Sequence, residues 1–238
     1  MPPDIAVYAD LAELSHAAAD TIEAAAQGAV SSHGRFSLCL SGGSTPRTLY
    51  HLLATEYRNR IPWSMAHLFF GDERCVPPSH PDSNYAMARE ALLTHVPGLE
   101  ARTYRIAGER GAEVAAREYA AVLHTVFPGK DPVTFDVVLL GIGSDGHTAS
   151  LFPGSPALDE HDRWAVPAEA PPDVATARAR VTLTYPVLDA ALDALILTAG
   201  ADKRPIVEHV RADGASPDSP YPVARITARR RVRWLVTG

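Results

Sequence analysis

An aspartate and a histidine, Asp145 and His147, stand two positions apart in a glycine-rich segment of the chain. Histidine can take up and return a proton near neutral pH, and a nearby carboxylate can orient the ring and stabilise its charged form. The pair therefore indicates acid–base catalysis. A tight turn with nothing bound would account for the glycines, but not for these two polar residues side by side.

The segment follows an apolar run at 137–140, which predicts a strand buried on both faces, as in the centre of a parallel sheet. Ligands of open α/β sheets bind beyond the carboxyl ends of the strands, so this strand would deliver both side chains to that edge. The glycines at 141, 143 and 146 also match the dinucleotide fingerprint G-x-G-x-x-G. Asp145 would then place a negative charge beside a pyrophosphate, so we favour a catalytic loop.

A second glycine-rich turn, Ser41-Gly42-Gly43-Ser44-Thr45-Pro46, follows a predicted strand at 36–40. Its backbone N–H groups and the positive end of a helix dipole would form an anion site, to which the hydroxyls of Ser44 and Thr45 would add hydrogen bonds. We expect Thr45 to cap the helix and Pro46 to be its first residue. A plain connector remains an equal alternative, because no Gly-Lys-Ser/Thr closes the turn.

Basic residues near other predicted strand ends are further candidates for binding an anion. Arg74 follows two acids, and its guanidinium would hold a phosphate or carboxylate at two points, or simply belong to a surface charge cluster. Lys203 and Arg204 open a predicted helix, where the helix dipole favours acids. A bound anion would explain these two cations, although exposed basic residues at a helix start are usually just solvated.

Composition restricts the class of protein. Of 238 residues, 46% are hydrophobic and 21% charged, as in an ordinary globular chain, and the net charge of −6 argues against a nucleic-acid partner. The two cysteines and ten scattered histidines form no disulfide framework and no metal-site pattern. No segment resembles a signal peptide or approaches the ~20 apolar residues of a membrane span. We expect a cytoplasmic protein that binds neither metal nor membrane.

Periodicity and end signals predict helices alternating with strands. The helices are 10–32, 48–57, 84–93, 112–126 and 200–210, and the strands are 36–40, 66–70, 137–140, 164–167, 179–184, 194–199 and 232–236. Asp10 with Glu13 marks the start of the first helix, and Gly34 marks its end. This alternation predicts an α/β sheet with helices on both faces. Without a repeat or a convincing linker, residues 1–238 are expected to form one domain.

Three stretches together closely resemble the 6-phosphogluconolactonases: S-G-G-S-T-P at 41–46, F-F-G-D-E-R at 69–74 and G-I-G-S-D-G-H-T-A-S-L-F-P at 141–153. The likeness covers nearly the whole chain, including A-G-A-D-K-R at 199–204. It implies a Rossmann-like three-layer α/β/α fold with a mostly parallel central sheet. The related glucosamine-6-phosphate deaminases share the first and third motifs, but they typically continue I-A-F-N-E-P after the histidine. Phe152 stands here in place of their glutamate.

The resemblance implies hydrolysis of 6-phospho-D-glucono-1,5-lactone to 6-phosphogluconate, the second step of the oxidative pentose phosphate pathway, without a cofactor. His147 would be the general base that activates water, and Asp145 would orient it or hold a sugar hydroxyl. The phosphate would bind to Gly43, Ser44 and Thr45 with help from Arg74, Lys203 and Arg204. The phosphorylated sugar lactone would be the only partner, and we expect a monomer.

Two other classes of function remain open at this point. A sugar-phosphate deaminase or isomerase would share the phosphate site, but it would release ammonia or interconvert an aldose and a ketose. A non-catalytic protein that binds sugar phosphates would keep the phosphate site without needing Asp145 and His147, so the presence of both residues argues against it.

Overall fold

A parallel sheet forms the centre of the protein, of which the computed structural model describes residues 4–172 and 179–237. In chain order, the elements are β1 (Asp4–Tyr8), α1 (Leu11–His33), β2 (Phe36–Leu40), α2 (Ser44–Ala54), β3 (Ala66–Phe70), β4 (Asp72–Arg74), α3 (Asn84–Ala91), α4 (Ala112–Val126), β5 (Val137–Leu140), β6 (Ala165–Glu169), β7 (Ala179–Leu183), α5 (Tyr185–Asp189), β8 (Asp193–Thr198), α6 (Arg204–Asp213) and β9 (Arg231–Thr237). Short 3-10 helices lie in several of the connections.

The central sheet has six strands in the order β1-β9-β8-β5-β2-β3, and every neighbouring pair is parallel. The predicted α/β fold with a mostly parallel central sheet is thus confirmed. All six strands end at the same edge, where the loops after β2, β3, β5 and β8 emerge. The chain winds outward from β2 to β3 and in the opposite direction from β5 through β8 to β9. Such a reversal opens a crevice for a ligand, here between β2 and β5.

Both faces of the sheet are covered. Strands β2, β5 and β8 are buried along their whole length, which is typical of a parallel sheet between two layers of helices. Right-handed crossovers place α1 and α2 on one face and α6 on the other. Helix α1 starts where its capping residues predict, because Asp10 accepts a hydrogen bond from the N–H of Glu13 at 2.9 Å. It ends at Gly34, whose φ of 78° favours glycine.

The predicted strands 164–167 and 179–184 do not join the central sheet. They correspond to β6 and β7, which form a separate antiparallel sheet with β4 in the order β4-β7-β6. Strands β1 and β4 and helix α5 were not predicted from the sequence. Strand β4 is only three residues long, β1 is an edge strand without a clear alternating pattern, and α5 is a single short turn of helix. From the sequence we also expect a small insertion around 169–179, and residues 173–178 of that segment lie outside the described residues.

The predicted start of α2 was also wrong. The helix begins at Ser44 with Gly43 as its N-cap, and no side chain caps it by a hydrogen bond. Gly43 has a φ of 104°, which a residue with a Cβ rarely adopts. The glycine therefore turns the chain into the helix, and Thr45 already lies in the first turn rather than before it.

A pH-sensitive group lies at the end of α5. The carboxylate of Asp189 accepts a hydrogen bond from the N–H of Thr227 at 2.8 Å. Burial raises the pKa of this carboxyl to about 6, although the bonds from Thr227 oppose the shift. The folded pKa lies above the value of about 4 for an unfolded chain. The contribution of this carboxyl to the free energy of unfolding is therefore fully present below about pH 4. It is lost as the pH rises through 6.

We expect Asp189→Asn to raise the free energy of unfolding by about 1–3 kcal/mol near pH 7.5 and to have little effect near pH 4. The amide oxygen can still accept the bond from Thr227, and no charge is then buried. Urea unfolding at both pH values measures the difference. Asp218→Asn, at an exposed aspartate, is the control and should have little effect at either pH. An equal effect of Asp189→Asn at both pH values would contradict the assignment.

Candidate active site

The loops after β2, β3 and β5 meet at the crevice. Strands β2 and β5 are hydrogen-bonded neighbours, with Leu38 opposite Val137. A Cβ added at Gly141 would lie 3.6 Å from the hydroxyl of Ser41, so the two loops are in contact. The N–H of Gly71, directly after β3, donates to the carbonyl of the last residue of β2 at 2.9 Å. The fold thus brings three glycine-containing loops to one place.

His147 and Asp145 form a hydrogen-bonded pair in the loop after β5. Nδ1 of His147 lies 2.6 Å from Oδ1 of Asp145, and the same oxygen accepts a bond from the N–H of His147 at 3.1 Å. Partial burial alone would raise the pKa of Asp145, but the bonds from the His147 ring and backbone bring it below its ordinary value. Because an ionised carboxylate can only accept a hydrogen bond, the proton of the neutral imidazole lies on Nδ1. The lone pair of Nε2 is then the basic site.

The backbone of this loop leaves room for the histidine ring. The N–H of Gly143 donates to the carbonyl of His147 at 2.9 Å, which closes the loop. A Cβ at Gly143 would lie 2.0 Å from Nδ1 of His147 and 2.7 Å from Oδ1 of Asp145. The ring of Phe152 also packs against the imidazole, with 4.4 Å between the ring centroids. Glycine at 143 is therefore needed for the pair to form.

A buried aspartate holds this loop against its neighbours. Asp72, only 5% exposed, accepts hydrogen bonds from Oγ of Ser150 at 2.7 Å and from Nδ2 of Asn84 at 3.0 Å. Its carboxylate also lies 3.9 Å from a guanidinium nitrogen of Arg180. Ser150 belongs to the loop after β5, Asn84 begins α3 and Arg180 lies on β7. Because a buried carboxylate must be compensated by such groups, Asp72 fixes these segments relative to one another.

Asn84, Ser150 and Arg180 were not identified as site residues from the sequence. Their contacts join parts of the chain that are far apart in sequence, and no local spacing marks them. The sequence did offer one kind of indication for this cluster: Asp72 and Ser150 both lie within motifs that resemble those of the 6-phosphogluconolactonases. The position of Asn84 also explains why residue 42, in the loop after β2, is a glycine. A Cβ at Gly42 would lie 2.0 Å from Oδ1 of Asn84.

Arg74 is positioned by a buried carboxylate beside it. The carboxylate of Glu73 accepts four bonds, from the N–H groups of Arg74, Asn84 and Tyr85 at 2.7–2.8 Å and from the hydroxyl of Ser83 at 3.0 Å. Burial raises the pKa of Glu73 even though these bonds oppose the shift. The side chain of Arg74 then donates to a backbone carbonyl, that of Asp82, at 2.6 Å.

Two guanidinium groups lie near each other at this edge. Burial and the positive charge of Arg74 lower the pKa of Arg180, and nearby carboxylates, Asp72 first, oppose the shift. Arg180 is only 5% exposed, whereas Arg74 is half-buried. An anion bound near both groups would relieve their repulsion and accept charge-assisted hydrogen bonds. The neighbourhood of Arg74 and Arg180 is therefore suited to negative charge.

Lys203 and Arg204 follow β8, the other neighbour of β5. Lys203 forms an ion pair with Asp202, and its side chain is 16% exposed. Arg204 instead lines a separate cavity of about 90 Å³, together with Val7 and Val236. This cavity lies toward β1 and β9, on the side of β8 away from β5. The structure thus does not group Arg204 with the histidine loop.

The predicted phosphate-binding turn lies at the start of α2. Gly43 and Ser44 are exposed there, and Thr45 is partly buried. The first N–H groups of α2 point away from the helix body, as at any helix start, and a side chain does not cap them. They are available to an anion in the crevice.

Within residues 4–172 and 179–237, no group of three or more histidine, cysteine, aspartate or glutamate side chains is arranged to hold a metal ion. No helix in the same part of the chain is long and apolar enough to cross a membrane. The parallel sheet with a histidine–aspartate pair in the loop after a central strand is typical of an α/β enzyme.

The chain belongs to the family of glucosamine-6-phosphate isomerases and 6-phosphogluconolactonases, whose model matches residues 9–234. It is 38% identical to the 6-phosphogluconolactonase of Nostoc sp. over 240 residues, which cover 99% of this chain and 96% of that protein. It is also 38% identical to the Synechocystis sp. 6-phosphogluconolactonase over 212 residues, with 87% and 84% covered. The solved structure of 6-phosphogluconolactonase from Trypanosoma brucei matches with a TM-score of 0.86 at 32% identity, covering 99% of this chain and 96% of that chain. The family resemblance drawn from the motifs is confirmed.

We expect Gly143→Ala to separate His147 from Asp145, because the new methyl carbon would lie only 2.0 Å from Nδ1 of His147 and 2.7 Å from Oδ1 of Asp145. The matched control is Gly141→Ala, two residues earlier, where the added Cβ meets its nearest atom at 3.6 Å. NMR of the imidazole N–H protons is the measurement. The downfield, slowly exchanging Nδ1 proton of a short bond to a carboxylate should be present in the native protein and in Gly141→Ala. Its persistence in Gly143→Ala would show that the glycine is not needed.

Proposed function

We propose that this protein hydrolyses 6-phospho-D-glucono-1,5-lactone to 6-phosphogluconate with His147 as the general base. The observation that carries the proposal is the 2.6 Å contact between His147 and Asp145 in the crevice between β2 and β5. Family membership and the curated 6-phosphogluconolactonases that the chain resembles over nearly its full length support the same reaction.

The reaction follows from the position of the imidazole protons. Nε2 of His147 takes a proton from water as the oxygen attacks the lactone carbonyl, and Asp145 stabilises the imidazolium that forms. The tetrahedral intermediate then breaks the bond to the ring oxygen, and the imidazolium returns the proton to that oxygen. Lactone and water thereby give a hydroxy acid, which ionises, and His147 returns to its neutral form. No other proton carrier is required.

Negative charge develops on the carbonyl oxygen during attack. Preorganised donors near that oxygen would lower the barrier. The N–H groups of the glycine loop and the guanidinium of Arg74 are our candidates. Arg180 would raise the local positive potential from its buried position on β7.

The substrate phosphate would bind at the start of α2. The uncapped N–H groups of this helix, with Gly43, Ser44 and Thr45, offer several donors along the positive end of the helix dipole. Lys203 would add a positive charge from the loop after β8. Arg204 was a candidate on the sequence alone, and its place in the cavity beside β1 and β9 makes it a weaker one than Lys203.

A glucosamine-6-phosphate deaminase would need a further acid–base group near the histidine. In this chain, the corresponding position holds Phe152, whose ring packs on His147. A phenyl ring cannot transfer a proton, so the lactonase reaction is favoured.

We also propose that the protein acts as a monomeric single domain in the cytoplasm. The family model spans residues 9–234, which supports the single domain.

We expect His147→Ala to slow the enzymatic opening of freshly generated 6-phosphogluconolactone by roughly 10²–10⁴-fold. The rate is followed with protein, without protein and with His161→Ala, which removes an exposed histidine and should leave the rate unchanged. The assay without protein is essential because this lactone also opens unaided. Ammonia release from glucosamine 6-phosphate is measured in parallel. Lactone opening no faster than in buffer would refute the function, and full activity of His147→Ala would refute only the base.

We expect Lys203→Ala to raise KM by about tenfold and to change kcat far less. The phosphate is remote from the reacting carbonyl, so its contacts stabilise the bound substrate and the transition state equally. Lys130→Ala, which removes an exposed lysine, is the matched control and should leave both constants unchanged. An unchanged KM in Lys203→Ala would remove this residue from the phosphate site.

A further inference from the structure

Gly146 lies between Asp145 and His147 in the chain and is the middle residue of the turn that brings their side chains together. Oδ1 of Asp145 accepts a hydrogen bond from the N–H of His147 at 3.1 Å and lies 2.6 Å from Nδ1 of the ring. An aspartate that accepts a bond from the N–H two residues later forms an Asx turn. The geometry of the pair therefore depends on where the backbone of Gly146 is held.

Both polar groups of Gly146 are hydrogen-bonded. Its N–H donates to the carbonyl of Gly143 at 3.0 Å, within the same loop. Its carbonyl accepts a bond from the N–H of Val223, also at 3.0 Å, and Val223 lies in the connection between α6 and β9. The φ of Gly146 is 83°, a conformation that glycine adopts without strain. The turn is thus held from inside the loop and from a distant segment.

The side chain of Tyr221 covers the third side of Gly146. A Cβ added at Gly146 would lie 2.5 Å from Cδ1, 2.9 Å from Cβ and 3.0 Å from Cγ of Tyr221. The tyrosine therefore packs directly on the bare Cα of the glycine. Tyr221 and Val223 are two positions apart, and they restrain the same residue of the histidine loop, one with its side chain and the other with its backbone.

Tyr221 is itself held in place by α6. Its ring meets that of His209 edge to face, with 5.1 Å between the centroids and 78° between the planes. Nδ1 of His209 lies 3.0 Å from the carboxylate of Asp213, and Nε2 lies 3.1 Å from the hydroxyl of Ser219. The N–H of Tyr221 donates to the same hydroxyl at 3.2 Å. The ring and the backbone of Tyr221 are therefore both fixed.

The segment around Tyr221 is also tied to the body of the protein. The hydroxyl of Tyr185, on α5, donates to the carbonyl of Pro222 at 2.8 Å. Nε of Arg225 donates to the carbonyl of Ser219 at 2.8 Å, and the side chain of Val223 is fully buried. Close-packed, hydrogen-bonded segments yield little when they are pressed. This segment can therefore act as a rigid support for Gly146.

We propose that Tyr221 is a positioning residue of the reaction. Its ring keeps Gly146 in place and thereby keeps Nδ1 of His147 within hydrogen-bond distance of Asp145. Tyr221 acts through the backbone of the glycine and need not touch the substrate. The inference rests on the proposed function, in which His147 is the general base, because a base that loses its orientation loses rate.

Substitutions at position 221 test the proposal. Tyr221→Ala removes the ring, and Tyr221→Phe keeps it, since Gly146 meets carbon atoms only. We expect Tyr221→Ala to lower kcat about tenfold and to change KM by less than about threefold, because misorientation of the base slows the chemical step and spares substrate binding. Tyr221→Phe should restore the native kcat. The control is Tyr104→Ala, which removes another half-buried tyrosine, one that stacks on Phe69 and His67 of β3.

NMR of the Nδ1 proton of His147 is the second readout, and His147→Ala identifies the resonance. The downfield signal should persist in the native protein, in Tyr221→Phe and in Tyr104→Ala, and it should broaden or vanish in Tyr221→Ala. Tyr221→Leu, which keeps apolar volume without the flat ring, should show the same changes to a smaller degree. It replaces the alanine variant if that variant does not fold.

Several outcomes would overturn the proposal. A native kcat or an unchanged Nδ1 signal in Tyr221→Ala would show that the ring does not hold the pair. An equal loss in Tyr221→Phe would assign the effect to the hydroxyl, and an equal loss in Tyr104→Ala would assign it to general destabilisation. The NMR comparison needs no substrate. If the native protein opened the lactone no faster than buffer, the proposed function would fail, and the NMR comparison would still decide whether Tyr221 positions His147.

Discussion

The arrangement of the site depends on one buried charge. Asp72 has lost almost all contact with water, and an uncompensated carboxylate in that position would cost several kcal/mol. Compensation comes from Ser150, Asn84 and Arg180, each on a different segment. Because a buried carboxylate is tolerated only while its partners stay in place, a displacement of any of these segments is penalised. The histidine loop is thereby fixed at one end by a carboxylate, Asp72, that takes no part in the proposed chemistry.

The local parts of the site could be predicted from the sequence. Asp145 and His147 are close in the chain, so their pairing needs only a loop of the right shape, and the three glycines around them indicate such a loop. The capping of α1 by Asp10 is local in the same sense. The start of α2 shows the limit of this reasoning. Thr45 has the right chemistry for a cap, but the positive φ of Gly43 determines where the helix begins.

The contacts that complete the site could not be predicted in this way. Strands β6 and β7 have the apolar character of sheet strands, and that character does not specify which sheet they join. The antiparallel pairing of β7 with β4, which is far away in sequence, brings Arg180 beside Asp72 and near Arg74. Arg180 appears on the sequence as one arginine among many. Its significance comes only from the partner strand and from the burial that the pairing imposes.

The loop after β5 is divided into a buried part and an accessible part. Thr148 and Ser150 are 1% and 0% exposed, and Thr148 donates to the carbonyl of Gly141 at 2.9 Å, which ties the buried part back to the end of the strand. The side chains of His147 and Asp145 remain 21% and 29% exposed. A general base that acts on water must be reachable by water, and a base that must keep its orientation needs a rigid support. Burial of the residues that follow His147 provides that support, while the imidazole itself stays in contact with solvent. This division explains why the short bond to Asp145, rather than deep burial, orients the ring.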